Sequence, residues 1–233
     1  WFPFPDLMNT NCIVLFGHNP RRHSWSPVFN MIEAARRRGA QVIVLDPRVS
    51  DQAARADLHL ALRAGTDAAM CLGWLKVIFD EELYDKKFVD EWCVGFDELR
   101  ARVDEYPLER VEAITGVDRE LIARAARLYA TADGACIPWT PITDQQISST
   151  SAIRLHSILR AVTGNLDVVG GEMLNAIPAG WRTEADLQLH DAISPEQRAK
   201  QLGYDTHPVY TYRTAEMRSE EHTSELQSRG LIS

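Results

Sequence analysis

Three apolar runs in the first third of the chain each end in a short polar loop. This repeated pattern restricts the fold more than any other feature. The runs are Cys12 to Phe16, Ala40 to Leu45 and Leu58 to Leu62. The loops are Gly17-His18-Asn19-Pro20, Asp46-Pro47-Arg48 and Gly65-Thr66-Asp67. A short, continuously apolar run suits a parallel strand covered on both faces. Between the first two runs the sequence changes period. Ser26 suits a helix N-cap and Pro27 the first helical position. Val28, Met31, Ile32 and Ala35 then share one helical face. Arg36, Arg37 and Arg38 close the last turn as a solvated, dipole-opposing end, and Gly39 stops the helix. Strand, helix, strand gives a right-handed parallel unit. The expected fold class is α/β, a Rossmann-like doubly wound and mostly parallel sheet. In such sheets the ligand crevice lies at the carboxyl ends of the strands. All three polar loops fall there, and together they suit a large, polar, nucleotide-bearing ligand.

The pattern continues to about residue 172. Ala53 to Asp57 reads as a short helical or irregular link. Asp67 opens a helix with Met70, Trp74, Val77 and Ile78 on one face. Residues 80 to 133 read as mainly helical. Leu83, Phe88, Val89 and Trp92 are spaced for a core face, and Asp118 caps a helix over Arg119 to Ala130. Ala135 to Trp139 is a fourth strand. Another helix starts at Ser149 or Thr150, carries Ile153, Ile158, Leu159 and Val162 inside, and stops at Gly164-Asn165. Gly170-Gly171 marks a turn, and beyond Glu172 the periodicity weakens. Residues 1–172 therefore form the α/β domain and 173–217 the start of a second, incomplete domain. Residues 218–233 form a non-native tail, because RSEEHTSELQS at Arg218 to Ser228 resembles an in-frame translation of a short-read sequencing adapter. The chain opens at Trp1 without an initiator Met and reads as an internal fragment. Any targeting signal would lie upstream, so no compartment is assigned.

Composition excludes some classes. A net charge of -8 argues against a nucleic-acid surface. No apolar run approaches the ~20 residues of a membrane helix, so no membrane insertion is expected. Cys12, Cys71, Cys93 and Cys136 form no C-x-x-C pair, which argues against an iron–sulfur or zinc site inside the chain. They read as buried, reduced thiols. His18, His23 and His156 have no metal-ligand spacing, and no nucleophile–base constellation is evident.

Each loop has a functional and a plain structural reading. The first loop lacks the G-x-G-x-x-G of a dinucleotide fold, so ordinary NAD or FAD binding is disfavoured. Gly17 allows close approach of a ligand to the backbone, and Asn19 can donate and accept in one plane. Asn-Pro is equally a turn starter. Asp46, at the end of the second strand, suits ribose hydroxyls or an Asx-type turn. Arg48 suits a phosphate or ring carbonyl, or a surface ion pair. Asp67 can accept from the N1–H and N2–H₂ edge of guanine, or be a helix-start carboxylate favoured by the dipole. The order and position of the loops shift the reading toward a ligand.

Taken in order, these segments resemble a known family. GHNP, a strand ending VIVLDPR and then AD-x-H-x-AL-x-x-GTD are similar to the molybdopterin oxidoreductases of the dimethyl sulfoxide reductase family. The likeness continues through Leu83-Tyr84-Asp85, Ala113 to Val117, Ala125 to Ala130, Thr163 to Leu166 and Gly170-Gly171. It covers roughly residues 11 to 175. The resemblance implies a molybdenum or tungsten ion held between two molybdopterin guanine dinucleotides, with this segment binding one guanine nucleotide. It implies Gly17 and Asn19 beside the phosphate and pterin. It also implies Asp46 and Arg48 at the ribose and neighbouring groups, and Asp67, in the Gly65 turn, at the guanine. The metal-ligating residue, and any iron–sulfur cysteines, would precede Trp1. The resemblance implies a small-molecule substrate for the parent, and an iron–sulfur electron-transfer subunit as partner where the parent is a redox enzyme. Trp139 to Gln146 lacks the glycines that many members carry after the fourth strand, which weakens any role transferred to Gln145 or Gln146. With Gly164-Asn165-Leu166-Asp167 and Gly170-Gly171-Glu172, it is similar to the branch of redox-neutral enzymes containing acetylene hydratase and pyrogallol hydroxytransferase. The first reading is a piece of a molybdenum or tungsten oxidoreductase, with a redox-neutral hydratase or hydroxytransferase of the same family as runner-up. The rivals from other classes are a catalytically silent homologue serving as a structural module in an electron-transfer complex, and a plain nucleotide-binding or regulatory domain.

Overall fold

The structure is a computed structural model that describes residues 3–22, 26–174 and 194–200. The tail at 218–233, His23 and most of 173–217 lie outside the described residues. Contacts divide the chain into two units, Trp1–Asn175 and Ala176–Ser233. The described part of the second unit holds one short helix, Pro195–Arg198, started by a Ser194/Gln197 capping box.

The first unit is built on four parallel strands: β2 (Cys12–Phe16), β3 (Gln41–Leu45), β4 (Leu58–Leu60) and β5 (Ala135–Cys136). A two-residue strand, β1 (Phe4–Pro5), pairs antiparallel with β6 (Glu172–Met173) outside this sheet. The main sheet runs β4-β3-β2-β5. The chain winds outward from β2 to β4, then returns to the other side of β2. This reversal makes the carboxyl ends of β2 and β5 a topological switch point.

Alternation along the strands separates two cores. Ile13, Leu15, Val42 and Val44 face α1 (Ser26–Arg37), packing with Ile32 and Ala35. Val14, Phe16, Ile43, Leu45, Leu58 and Leu60 face the opposite layer. That layer centres on α2 (Asp67–Asp80), with α4 (Phe96–Asp104), α5 (Leu108–Thr115), α6 (Arg119–Ala130) and α8 (Ser149–Val162) around it. The sheet is therefore covered on both faces, which accounts for its unbroken apolar strands.

Local chemistry explains most boundaries. Asp118 Oδ1 accepts from the N–H groups of Glu120 and Leu121, capping α6 as expected. Asp85 accepts from Phe88 N–H and starts α3 (Lys86–Trp92). Ser26 does begin the α1 span, although its side chain lies outside the described residues.

Four expectations need correction. The α2 helix buries Leu72, Gly73, Leu75 and Phe79 as well as Met70, Trp74, Val77 and Ile78, because four helices enclose it. A helix apolar all round is a core helix, not a one-faced one. Trp92 does not join the core but stands 73% exposed. The α3 helix ends there, and Val89 is its buried anchor. The third strand stops at Leu60, because Arg63 N–H turns to the Thr115 carbonyl. The fourth stops at Cys136.

The outer edge of β5 carries no neighbouring strand of the main sheet. Side chains there occupy the positions a neighbouring strand would fill. Ala135 N–H donates to Asn165 Oδ1 at 2.8 Å. Ile137 N–H donates to Glu172 Oε1 at 2.6 Å, and Arg160 Nη2 donates to the Ile137 carbonyl at 2.7 Å. Arg160 Nε lies 2.8 Å from the same Glu172 oxygen, a charge contact without hydrogen-bond alignment. Both side chains are almost fully buried. Burial pushes the Glu172 carboxyl above its usual range, against the opposing pull of Arg160. Asn165 Nδ2 donates to Thr163 Oγ1, so its amide is engaged at both ends. Gly171 is required for this closure: a Cβ there would lie 2.5 Å from the Asn165 carbonyl oxygen. The Gly164-Asn165 and Gly170-Gly171-Glu172 motifs thus seal the edge of β5 and aim the loop that follows it.

Candidate functional site

The loop after β2 starts with Gly17, whose N–H continues the ladder to the Leu45 carbonyl at 2.7 Å. Its φ of +55° is left-handed, and a Cβ would sit 2.6 Å from Ile142 Cγ2. Glycine is therefore required on two counts. Its close neighbour is a side chain of α7 (Pro141–Asp144), the short helix after β5. Asn19 is half-buried and closes a turn through Arg22 N–H. Its Oδ1 is buried and has no hydrogen-bond partner. An orphaned acceptor of this kind costs about 1–3 kcal/mol unless something else satisfies it.

Asp46 follows β3 and is only 2% exposed. Oδ1 accepts from Arg48 N–H at 2.8 Å, so the Asx-type turn is formed. Arg48 Nε is 3.7 Å from the same oxygen, a loose pair at an arginine that is 80% exposed. The guanidinium is therefore free to swing toward a ligand at little cost. His59 Nε2 meets the Asp46 carbonyl at 2.8 Å and steadies the turn from β4.

Gly65, at φ +80°, turns the chain into α2. Asp67 is the first residue of that helix. Burial raises its carboxyl above the usual range, while a hydrogen bond from the Gln146 side chain works the other way. By strand alternation Asp46 belongs with the α1 face, whereas Asp67 begins the helix on the other face. Both stand at the carboxyl edge, where the two faces meet.

Sequence reasoning missed the fourth wall. The segment after β5 brings Ile142 against Gly17 and Gln146 against Gly65 and Asp67. Gln146 Oε1, like Asn19 Oδ1, is buried without a partner. The available signal was position: this segment leaves the switch point, whatever its glycine content. Beneath the site, His156 of α8 stacks on Phe16 with ring centroids 4.2 Å apart. Burial drives its pKa down to about 3, so it is neutral. Cys12, Cys71 and Cys136 are buried thiols and Cys93 is half-buried, all without disulfides. Burial pushes Cys12 and Cys136 up to about 12, which makes them poor nucleophiles. Among the described residues no group of three or more His, Cys, Asp or Glu side chains is arranged to hold a metal ion. Nor is any described helix long and apolar enough to cross a membrane.

Comparison with known proteins identifies the family that this architecture serves. The family model for molybdopterin oxidoreductases matches residues 2–178. The chain belongs to the molybdopterin oxidoreductase family. Acetylene hydratase of Syntrophotalea acetylenica is 46% identical over 211 residues, covering 91% of this chain and 29% of that protein. Formate dehydrogenase H of Escherichia coli is 35% identical over 227 residues, covering 91% of this chain and 31% of that one. The solved structure of acetylene hydratase from Pelobacter acetylenicus superimposes with a TM-score of 0.80 at 46% identity. It matches 90% of this chain and 29% of its own. The chain thus spans less than a third of these relatives. Enzymes of the molybdopterin oxidoreductase family act on small molecules, as the names acetylene hydratase and formate dehydrogenase state. Some are parts of assemblies, such as a formate dehydrogenase subunit alpha from Methanocaldococcus jannaschii. The motifs that carried the family resemblance divide in two here. Those near residues 164–172 hold the sheet edge together, and those at residues 17–19, 46–48 and 65–67 stand in the loops at the carboxyl ends of the strands.

Proposed function

We propose that the first unit holds the guanine nucleotide end of a molybdopterin guanine dinucleotide in a larger molybdenum or tungsten enzyme. The carrying observation is the strand order β4-β3-β2-β5, which gathers three polar loops at one carboxyl edge. The residues present fit such a group. Asn19 Oδ1 and Gln146 Oε1 are buried acceptors that lack a donor, and Asp67 offers a carboxylate beside one of them. In this reading Asp67 accepts from the N1–H and N2–H₂ edge of guanine. Asp46 accepts from ribose hydroxyls, Arg48 meets neighbouring anionic groups, and Gly17 and Asn19 border the phosphates and pterin. When bound, the cofactor supplies a metal centre able to act as Lewis acid or redox centre. The metal's protein ligand and a second dinucleotide belong to other parts of the parent. What this chain contributes is grip and orientation.

For the parent's chemistry, redox-neutral hydration of a small unsaturated substrate is favoured over electron transfer. The supporting observation is the 46% identity to acetylene hydratase, against 35% to formate dehydrogenase H over the same share of the chain. A hydratase needs no iron–sulfur electron-transfer partner, whereas a redox parent would use one. The test of the binding role is Asp67→Ala in the full-length parent. Guanine released per protein on denaturation falls at least tenfold. Guanine content equal to wild type would contradict the assignment.

A further inference from the structure

Gln146 has an amide with two unlike ends. Its N–H₂ end donates to the Thr143 carbonyl, with Nε2 at 3.4 Å from that oxygen, and the side chain lies near enough to Asp67 to pull its carboxyl pKa down against burial. Its Oε1 is buried, has no partner, and lies 4.0 Å from the point where a Gly65 Cβ would stand. The orientation is chemically fixed. A flipped amide would set Oε1 against the Thr143 carbonyl, another acceptor. The unclaimed carbonyl oxygen is therefore presented next to Asp67, at the mouth of the Gly65 turn. A larger residue at position 65 would crowd it.

We infer that Gln146 and Asp67 form one base-reading unit in which Gln146 selects for the exocyclic 2-amino group of guanine. The inference rests on the guanine reading of Asp67 and adds a second reader to it. A carboxylate facing guanine takes N1–H and one N2–H. The other N2–H needs an acceptor of its own, and Gln146 Oε1 supplies it. Adenine presents a ring acceptor in place of N1–H and is repelled by the carboxylate. Hypoxanthine keeps N1–H but lacks the 2-amino group, so it would leave Gln146 Oε1 buried and unpaired. A site built to pair a group rejects the analogue that lacks it. Gln146 also acts through Asp67. Burial favours the protonated carboxyl, which is a poor acceptor, and the Gln146 N–H₂ opposes that tendency. It is thus both a contact and a positioning residue.

The test uses the 233-residue chain, with GDP, IDP and ADP as probes in calorimetric titrations. IDP differs from GDP by the missing 2-amino group alone. The wild type binds GDP about tenfold tighter than IDP and does not bind ADP measurably. Gln146→Leu keeps similar bulk but offers no acceptor, and brings the GDP to IDP ratio down to about two. Gln146→Asn retains an amide but withdraws it by one methylene, and lowers the same ratio. Thermal melts confirm that each variant is folded. A GDP to IDP ratio unchanged in both variants, with GDP binding retained, would overturn the role of Gln146 and leave Asp67 as the guanine reader. Absence of GDP binding to the wild type would instead overturn the guanine reading itself, and this inference with it. Loss of both nucleotides in Asp67→Ala, alongside the ratio change in Gln146→Leu, would support the two-residue unit.

Discussion

The outer edge of β5 and the carboxyl edge of β2 to β4 are built from similar residues and end in opposite states. At the β5 edge Asn165, Arg160 and Glu172 satisfy the backbone of Ala135 and Ile137, and Asn165 uses both ends of its amide. At the carboxyl edge Asn19 and Gln146 each keep a buried oxygen without a donor, and Asp67 is held in a setting that disfavours its charge. Buried polar groups are normally paired. A set of hydrogen bonds that satisfies the backbone and leaves only the ion-paired Arg160 Nε unaligned marks a structural joint, and an open set of acceptors marks a place prepared for a donor-bearing ligand. Motif residues alone do not distinguish the two, because Asn165 and Asn19 are the same residue type in equally motif-like surroundings.

The comparison can be broken most forcefully at Glu172. Glu172→Ala leaves the Arg160 guanidinium buried without its counter-charge and frees Ile137 N–H. The expected loss is about 3–5 kcal/mol in urea unfolding. Replacing both partners by apolar residues, Arg160→Met with Glu172→Leu, costs much less, because no lone charge remains. A loss below about 1 kcal/mol for Glu172→Ala would show that the edge is not a joint.

A smaller effect comes from His156, beneath the open edge. Its folded pKa of about 3 lies below the ordinary value of 6.5. As pH falls below 6.5 the unfolded chain takes up a proton that the folded chain refuses, so stability drops. At pH 5 this amounts to about 2 kcal/mol, from about 1.4 kcal/mol per pH unit. Glu172 has the opposite sign: its raised folded pKa favours the folded state at low pH, and that contribution fades as pH rises through the folded pKa. His156→Phe keeps an aromatic ring on Phe16 and removes only the first effect. Between pH 7.5 and pH 5 the variant therefore loses about 2 kcal/mol less than the wild type. Parallel losses would mean that His156 is protonated in the fold.

Much of the fold was legible in the sequence because its signals are local. The β2 and β3 runs, the Asp118 cap on Arg119–Ala130 and the start of α8 at Ser149 need only neighbours a few residues away. The misreadings involve distant partners. β5 is only two residues long, and its outer edge is met by Asn165, Arg160 and Glu172, from much later in the chain, in place of a strand. Trp92 has core spacing on α3, yet the helix stops before anything packs over the indole. The six expected ligand residues, Gly17, Asn19, Asp46, Arg48, Gly65 and Asp67, all stand at the carboxyl edge, since strand-end loops are fixed by the strands themselves. Gln146 was discounted for its glycine-poor surroundings. Its place is set by the return of the chain across β2, which no local pattern encodes.

The most direct test of an open edge opposed to a closed one is a GDP titration of this chain followed by residue-resolved NMR. Amide shifts are expected at Gly17, Asn19, Asp46, Gly65, Asp67 and Gln146, with Ala135, Ile137, Asn165 and Glu172 unmoved. Shifts centred on the β5 edge, or none anywhere at millimolar GDP, would contradict that contrast.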